Sequence, residues 1–334
     1  MNKKITTQIK GIAILLMIWL HCFHTGWYTH LYCDYTFMGD YLSSILTRLT
    51  GPVEFFIILS GYGLYCLYRK NLIINIVPRA LKLYLLFLFC FIIFISIGCF
   101  LKPEVYPGSL ATFIANITTW HTSYNETWWF LFPYLIILVC SNYIFKLFEY
   151  SSLISILGSA MLYFIGYGTS WLSAHAYIHI PYAIHQLITV VNFLFPFLIG
   201  SSLAKYDIIK IVRSWYLAKN HRFIFLIGLV VIIFTRISTS FDFILQITYT
   251  LAIIFAYAII PHFNLTKKVL QLFGTHSTSM WFVHAFFNMY LFTNHIYALK
   301  YPIFIYLVCV SLSLVTAFLI DSIFTRAYSY FSAK

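Results

Sequence analysis

Two polar side chains, Lys10 and His21, bracket an otherwise apolar stretch in the segment KGIAILLMIWLH. On an α-helix eleven residues turn through roughly 1100°, so the two side chains share one face about 16 Å apart along the axis. An imidazole suits proton transfer near neutral pH, and an ammonium suits phosphate. Two simpler interpretations stay open: a histidine hydrogen-bonded inside a helix bundle, and a lysine that snorkels to the headgroups.

A second set of polar residues lies in GPVEFFIILSGYGLY, residues 51–65. Glu54 caps a helix that begins at Pro52, or, if the helix begins near Tyr41, it lies within the membrane and Pro52 is a kink. An ionisable residue within a membrane helix is costly and usually functional. Ser60 and the adjacent glycines permit close helix packing or leave room for a substrate.

The segment PRALK, residues 78–82, contains Arg79 and Lys82, which are three residues apart and can point the same way on a helix. Such a pair can bind phosphate groups, the arginine in a bidentate manner and the lysine as a point charge. The alternative is a topology signal without a ligand.

The segment FGTHSTSMWFVHAFF, residues 273–287, carries polar residues in an apolar context. Ser277, Ser279 and His284 are polar in this apolar run. His284 is expected within the membrane, and His276 at its cytoplasmic boundary. These four residues are unusual for a helix that faces lipid, since polar side chains there normally face the interior of a bundle.

The loop NITTWHTSYNETWW, residues 116–129, is polar and aromatic enough to bind a sugar by stacking and hydrogen bonds. A loop at the membrane interface explains the same composition. Asn116 and Asn125 lie in N-x-[ST] sequons, which predict surface exposure.

The composition indicates an integral membrane protein. Hydrophobic residues make up 61% of the 334 residues and charged residues only 9%, against about 25% charged in an ordinary soluble domain. The net charge of +12 comes from basic residues at the ends of apolar runs, so it indicates topology and not nucleic-acid binding. The seven cysteines form no C-x-x-C pair, and we expect neither a disulfide framework nor a metal site.

Ten apolar segments are long enough to span a bilayer. They centre on 9–25, 45–68, 80–100, 128–147, 152–171, 186–204, 222–237, 241–261, 271–292 and 301–321. The distribution of lysine and arginine places both termini in the cytoplasm. The sequence therefore predicts an all-α bundle of about ten transmembrane helices, with residues 1–334 forming a single membrane domain and no separate soluble domain. The composition favours a bacterial inner membrane.

Taken together, these segments resemble the membrane-bound acyltransferase-3 family. The resemblance rests on five short motifs in order: KGIAILLMIWLH, VEFFIILSGYG, RALK, WWFLFPYL and HSTSMWFVH, which ends at His284. The sequence departs from the family pattern at three positions. Lys10 and Lys82 stand where the family has arginine, and Thr7 stands where an acidic residue is usual.

The resemblance implies an enzyme that moves an acyl group, with acetyl-CoA as the expected donor and no metal, to a hydroxyl of a surface or lipid-linked carbohydrate. His21 would be general base or acyl carrier, and Glu54 would orient its imidazole or contact the acceptor. Arg79, Lys82 and Lys10 would bind the phosphates of the donor. Ser60, Trp129 and His284 would line the substrate pocket.

Three other classes of membrane protein remain as alternatives at this stage. A transporter or flippase for a lipid-linked sugar would show internal repeats and matching broken helices, neither of which is evident. A polymerase of lipid-linked saccharide commonly has a large outer loop. A receptor or structural protein would have no need for ionisable residues such as His21 and Glu54 inside the membrane.

Overall fold

The computed structural model describes residues 1–334 apart from Thr25, Met38, 219–220, 240–241 and 333–334, and the side chains of 26–27, 242–243 and 331–332 are also left undescribed. Thr25 and Phe241, which bound two of the predicted spans, therefore lie outside the described residues. Nearly all of the described chain is helical, and its only strands form the short hairpin Thr36–Phe37 (β1) and Asp40–Tyr41 (β2). The prediction of an all-α membrane bundle is confirmed.

The described helices are, in chain order, α1 Lys3–Phe23, α2 Leu42–Thr47, α3 Pro52–Asn71, α4 Val77–Leu101, α5 Leu110–Ile117, α6 Leu131–Tyr150, α7 Ser152–Ala174, α8 Tyr182–Lys205, α9 Ile208–Leu217, α10 His221–Ser238, α11 Asp242–Ile259, α12 Asn264–Ala285, α13 Thr293–Tyr297 and α14 Pro302–Ser332. Short 3₁₀-helical segments occur at Gly26–Leu31 and Glu126–Phe130, and a short π-helical segment occurs at Phe286–Tyr290.

Eight helical segments of the described chain are long and apolar enough to cross a membrane. They match eight of the ten predicted spans. The eighth predicted span corresponds to the shorter apolar segment Ile244–Ile259, and the ninth to α12. Helix α12 is less apolar than the other predicted spans because it carries the polar residues of the segment FGTHSTSMWFVHAFF. Its polar side chains are therefore candidates for a functional site.

Helix starts follow local capping. The side chain of Asn2 accepts a hydrogen bond from the backbone N–H of Ile5 at the start of α1, over 2.9 Å. Pro52 is the first residue of α3, a position where a missing N–H costs nothing, and Gly51 before it has φ +137°. Glu54 therefore lies in the first turn of α3, and Pro52 is a helix start and not a kink.

The helices are assembled into two compact units. Unit 1 comprises Met1, 53–81 and 130–261, and unit 2 comprises 2–52, 82–129 and 262–334. The prediction of a single domain over 1–334 remains a prediction.

In unit 1, α3 and α8 pack backbone against backbone. A Cβ on Gly61 would lie 2.0 Å from the carbonyl oxygen of Phe197, and one on Gly200 would lie 2.0 Å from that of Ile58. The two helices are parallel, since residue numbers rise together: Oγ of Ser201 donates to the carbonyl oxygen of Gly61, and further along both helices Nη1 of Arg69 donates to that of Ala204. Gly61 thus serves close helix packing, whereas a Cβ on Gly63 would meet nothing within 4 Å.

In unit 2, α1 and α12 also approach through glycine. A Cβ on Gly274 would lie 1.7 Å from the carbonyl oxygen of Thr7, and one on Gly11 would lie 2.2 Å from that of Leu270. Further along both helices, His21 faces His284. Residue numbers rise together on the two helices, so α1 and α12 are parallel and their side chains can be compared by depth.

Candidate active site

His21 and His284 form a histidine pair between α1 and α12. The Nδ1 atom of His21 lies 2.7 Å from Nε2 of His284, and the two rings are stacked with their centroids 4.9 Å apart. His284 is completely buried, and His21 is half-buried. The pair belongs wholly to unit 2, and the glycine contact between α1 and α12 is what permits two helices to carry rings this close together.

The hydrogen bonds of His284 assign the proton positions of the pair in its neutral state. Nδ1 of His284 lies 2.9 Å from the carbonyl oxygen of Trp281 and 3.1 Å from that of Met280. Carbonyl oxygens only accept, so Nδ1 of His284 carries the hydrogen and Nε2 is an acceptor. The hydrogen shared with His21 then resides on Nδ1 of His21, which leaves a lone pair on its Nε2.

The lone pair on Nε2 of His21 is available for chemistry. Among the described residues no hydrogen bond to this atom is found, and the ring is half-buried. An unprotonated imidazole nitrogen can take a proton from a hydroxyl or attack a carbonyl carbon.

The helix that carries His284 departs from regular geometry immediately beyond it. Residues Phe286–Tyr290 form a π-helical turn, a feature common at functional sites. Asn288 in this turn is fully buried; its Nδ2 donates to Sγ of Cys22 over 3.5 Å, and its Oδ1 has no partner among the described residues. The histidine pair therefore has an uncommitted polar oxygen on a neighbouring turn.

The loop 116–129, which we call the outer segment, is joined to α12 by the indoles of Trp128 and Trp281. Nε1 of Trp128 donates to the carbonyl oxygen of Phe282 over 3.0 Å, and Nε1 of Trp281 donates to that of Thr127 over 2.9 Å. Trp128 is fully buried and packs edge-on against Phe87. This part of the outer segment is a fixed support for α12.

The prediction that Asn116 and Asn125 are exposed at the surface is wrong, since both side chains are fully buried. The amide of Asn116 donates to Ser123 and accepts from the N–H of Tyr124, and Oδ1 of Asn125 accepts from the backbone and hydroxyl of Thr127. Both side chains organise the loop and are not surface sites. The short polar side chain that makes a sequon also makes such turns.

The same loop is held by buried tyrosines. Burial raises the pKa of Tyr106 to about 12, so its hydroxyl stays protonated near neutral pH and donates to the carbonyl oxygen of Tyr124 over 3.0 Å. Residues of this loop with exposed surface include Trp120 and Trp129, which are 38% and 40% exposed. A sugar can stack only on aromatic side chains that are exposed in this way.

Three other predicted site residues lie in unit 2. Lys10 is half-buried on α1, and no hydrogen bond or ion pair of its ammonium is found among the described residues. Lys82 is exposed on α4, with Nζ 5.3 Å from the ring centroid of Tyr328. Trp129 lies on the surface of the loop, while its neighbour Trp128 takes the buried position.

The remaining predicted site residues lie in unit 1. Oε2 of Glu54 accepts a hydrogen bond from Nε2 of Gln246 over 2.7 Å. The hydroxyl of Ser60 is 2.9 Å from that of Tyr134. Arg79 is exposed in the first turn of α4. The functional roles predicted for these three residues stay predictions.

A second intramembrane cluster was missed from sequence. Asp321 on α14 accepts hydrogen bonds from Nδ1 of His276 and from Oγ of Ser279, both over 2.5 Å. We call these three residues the inner cluster. The sequence did indicate two of its members as polar residues in or beside spans: His276, and Asp321 at the end of the tenth predicted span. Helix α14 continues to Ser332, so Asp321 lies well inside a helix and not at its end.

The helices and the histidine pair define the class: a polytopic membrane protein with an ionisable site inside its bundle. No group of three or more His, Cys, Asp and Glu side chains that could hold a metal ion is found in the part of the chain that the structure describes.

Comparison with known families gives the identity more closely. A family model described as an acyltransferase domain matches residues 7–322, and the chain therefore belongs to the acyltransferase-3 family, as its motifs predicted. The protein is a membrane acyltransferase. No curated protein and no solved structure matches the chain.

Proposed function

We propose that the protein is a membrane O-acyltransferase that moves an acetyl group from acetyl-CoA to a hydroxyl of a cell-surface or lipid-linked carbohydrate. The observation that supports this most directly is the lone pair on Nε2 of His21, which the hydrogen bonds of His284 assign. Family membership supports acyl transfer itself. The basic protein with many spans fits a bacterial inner membrane.

In the proposed reaction, Nε2 of His21 takes the proton of the acceptor hydroxyl as its oxygen attacks the thioester carbonyl carbon. Collapse of the tetrahedral intermediate breaks the carbon–sulfur bond, and the thiolate receives the proton from His21. No net proton is gained or lost. General base catalysis of this kind contributes about 10²- to 10⁴-fold to the rate.

The second possible route uses the same atom. Nε2 of His21 attacks the thioester carbonyl carbon, the carbon–sulfur bond breaks, and an acetyl-imidazolium and a thiolate form. The carbohydrate hydroxyl then attacks the acetyl carbon, the carbon–nitrogen bond breaks to restore neutral His21, and the hydroxyl proton passes to the thiolate. Both routes need the tautomer that His284 imposes, so His284 is a positioning residue in either.

The donor is bound, in this proposal, by cations near the cytoplasmic ends of the helices. Lys10 is suited to a phosphate because its half-buried ammonium has no anionic partner among the described residues. Lys82 and Arg79 lie one turn apart on α4 and both are exposed. For the acceptor, the exposed indole of Trp129 offers a stacking surface. Contact of Glu54 or Ser60 with the acceptor stays a prediction.

The test is transfer of labelled acetyl from acetyl-CoA to candidate glycans by purified protein, with His21→Ala against wild type. We expect His21→Ala to lower the rate by about 10²-fold or more. His24→Ala is the matched control, since this exposed histidine lies one turn away on the same chain segment and should leave the rate unchanged. Equal rates in wild type and His21→Ala would refute the role of His21, and no labelling of any glycan would refute the carbohydrate acceptor.

A single-turnover experiment separates the two routes. Wild-type protein mixed with labelled acetyl-CoA in the absence of acceptor should accumulate label on His21 if the acyl-histidine forms. If no label can be trapped while transfer to the glycan proceeds, His21 acts as general base.

A further inference from the structure

The inner cluster has hydrogen-bonding capacity that the described residues leave unused. A carboxylate offers about four lone-pair sites, and Asp321 receives two donors, from His276 and Ser279. Nε2 of His276 has no partner among the described residues. The side chains of His276 and Asp321 are 12% and 26% exposed, so the cluster is not sealed by protein. Ionisable residues at such positions in a membrane helix usually serve a ligand.

The depth of the inner cluster follows from the parallel helices α1 and α12. His21 and His284 lie at one level, and Lys10 lies eleven residues before His21, about 16 Å toward the helix start. His276 lies eight residues before His284, about 12 Å in the same direction. The inner cluster is therefore about 4 to 5 Å closer to the histidine pair than Lys10 is.

These spacings match the donor that the proposed function names, and the inference rests on that function. In coenzyme A about thirteen bonds separate the nearer phosphorus of the diphosphate from the sulfur, which spans about 16 Å at roughly 1.2 Å per bond in an extended chain. A phosphate at Lys10 thus puts the sulfur at His21. The hydroxyl-bearing carbon of the arm, about four bonds or 5 Å from that phosphorus, then lies level with the inner cluster.

We propose that the inner cluster is the binding site for the hydroxyl and the adjacent amide of the pantetheine arm of the acyl donor. The hydroxyl of the arm donates to a free lone pair of the Asp321 carboxylate. The adjacent amide N–H donates to Nε2 of His276, whose other nitrogen donates to Asp321. Ser279 holds the carboxylate in place. The two acceptors of the cluster, the Asp321 carboxylate and Nε2 of His276, thus match the two donors of the arm, its hydroxyl and its amide N–H.

The competing interpretation is a clamp that joins α12 to α14 without touching the donor. The two interpretations differ in which ligands feel a substitution. A clamp affects folding, and it affects ligands that lack the arm as much as ligands that have it. A binding site affects only ligands that carry the hydroxyl and the amide.

The experiment measures binding of unacylated coenzyme A to the purified full-length protein by calorimetry. Asp321→Asn should weaken binding of coenzyme A about tenfold, since a hydrogen bond to a charged group is worth about 1.5 to 3 kcal/mol. The same variant should bind a coenzyme A analogue without the arm hydroxyl as tightly as wild type does. Adenosine 3′,5′-diphosphate, which has phosphates but no arm, should be unaffected.

Two further variants complete the test. Ser322→Ala is the matched control: its hydroxyl bonds only to the carbonyl oxygen of Phe318 among the described contacts, over 2.8 Å, and its affinity for coenzyme A should stay at the wild-type value. If Asp321→Asn does not fold, His276→Leu replaces it, with the same tenfold loss expected for coenzyme A and none for the diphosphate.

The outcomes separate the two proposals. Wild-type protein that binds coenzyme A with an affinity unchanged by Asp321→Asn and His276→Leu overturns the inner-cluster site alone. Equal losses for coenzyme A and the diphosphate overturn it too, in favour of the clamp. No binding of coenzyme A by the wild type refutes the proposed donor, and the inner-cluster site with it.

Discussion

Two helix pairs in this protein use glycine for the same purpose and differ in what they place beyond it. In unit 1, α3 and α8 touch through Gly61 and Gly200, and in unit 2, α1 and α12 touch through Gly11 and Gly274. Both pairs are parallel. The contacts between backbones are equally close. Beyond them, only α1 and α12 direct two ionisable rings at each other.

Three polar side chains of α3 bond instead to helices other than α8. Ser60 pairs with Tyr134 of α6, Glu54 pairs with Gln246 of α11, and Tyr65 donates to Glu149 of α6. Glycine packing alone therefore does not make a site. The histidine pair arises because the close approach of α1 and α12 also brings two ionisable side chains together.

The largest effects are expected at the glycines. Gly274→Ala and Gly200→Ala each force a Cβ against a backbone carbonyl oxygen that cannot move independently, so each should lower the free energy of unfolding by about 2 to 4 kcal/mol. Thermal unfolding in detergent measures this loss. The two variants should then differ in activity per folded protein, which Gly274→Ala should lower more because it separates His21 from His284. Equal activities would remove the distinction between the two helix pairs.

The next effect concerns the histidine pair itself. His284→Leu removes the acceptor that places the hydrogen on Nδ1 of His21, and we expect kcat to fall about 10- to 100-fold with the KM for acetyl-CoA unchanged. His284→Asn keeps an acceptor oxygen and should recover part of kcat. A purely structural role predicts instead that both variants lower thermal stability and activity together, without recovery by asparagine.

A smaller effect is expected where the outer segment supports α12. Trp128→Phe leaves the buried carbonyl oxygen of Phe282 without its donor, which should cost about 1 to 2 kcal/mol of unfolding free energy. Trp129→Phe, at an exposed neighbouring position, should change it by less than about 0.5 kcal/mol. If Trp129 stacks on the acceptor, this second variant changes the KM for the glycan and not the thermal unfolding temperature.

The smallest effect is expected at Gly63. A Cβ at this position meets nothing within 4 Å, and alanine is the better helix former, so Gly63→Ala should leave stability unchanged or raise it by up to about 1 kcal/mol. Thermal unfolding beside Gly61→Ala checks this. A loss at Gly63 as large as that at Gly61 would mean that something covers this surface.

The spans and the position of His21 could be predicted because hydropathy and helical periodicity are local properties of the chain. The pairing of His21 with His284 could not, since it depends on how α1 and α12 pack. The same limit applies to Asp321, whose importance appears only when α14 sets it against His276 and Ser279. The sequons failed for a different reason: a short asparagine can cap a turn inside a loop as readily as it can face solvent.

The histidine pair joins residues separated by 263 positions in the chain. At about 5 to 20 residues per second, ribosomal synthesis completes α12 roughly 13 to 50 s after α1. During that interval α1 lies in the membrane before His284, the hydrogen-bond partner of His21, has been synthesised. Until the ninth predicted span is synthesised, His21 lacks the acceptor nitrogen of His284, and any chain terminated before residue 284 lacks it permanently.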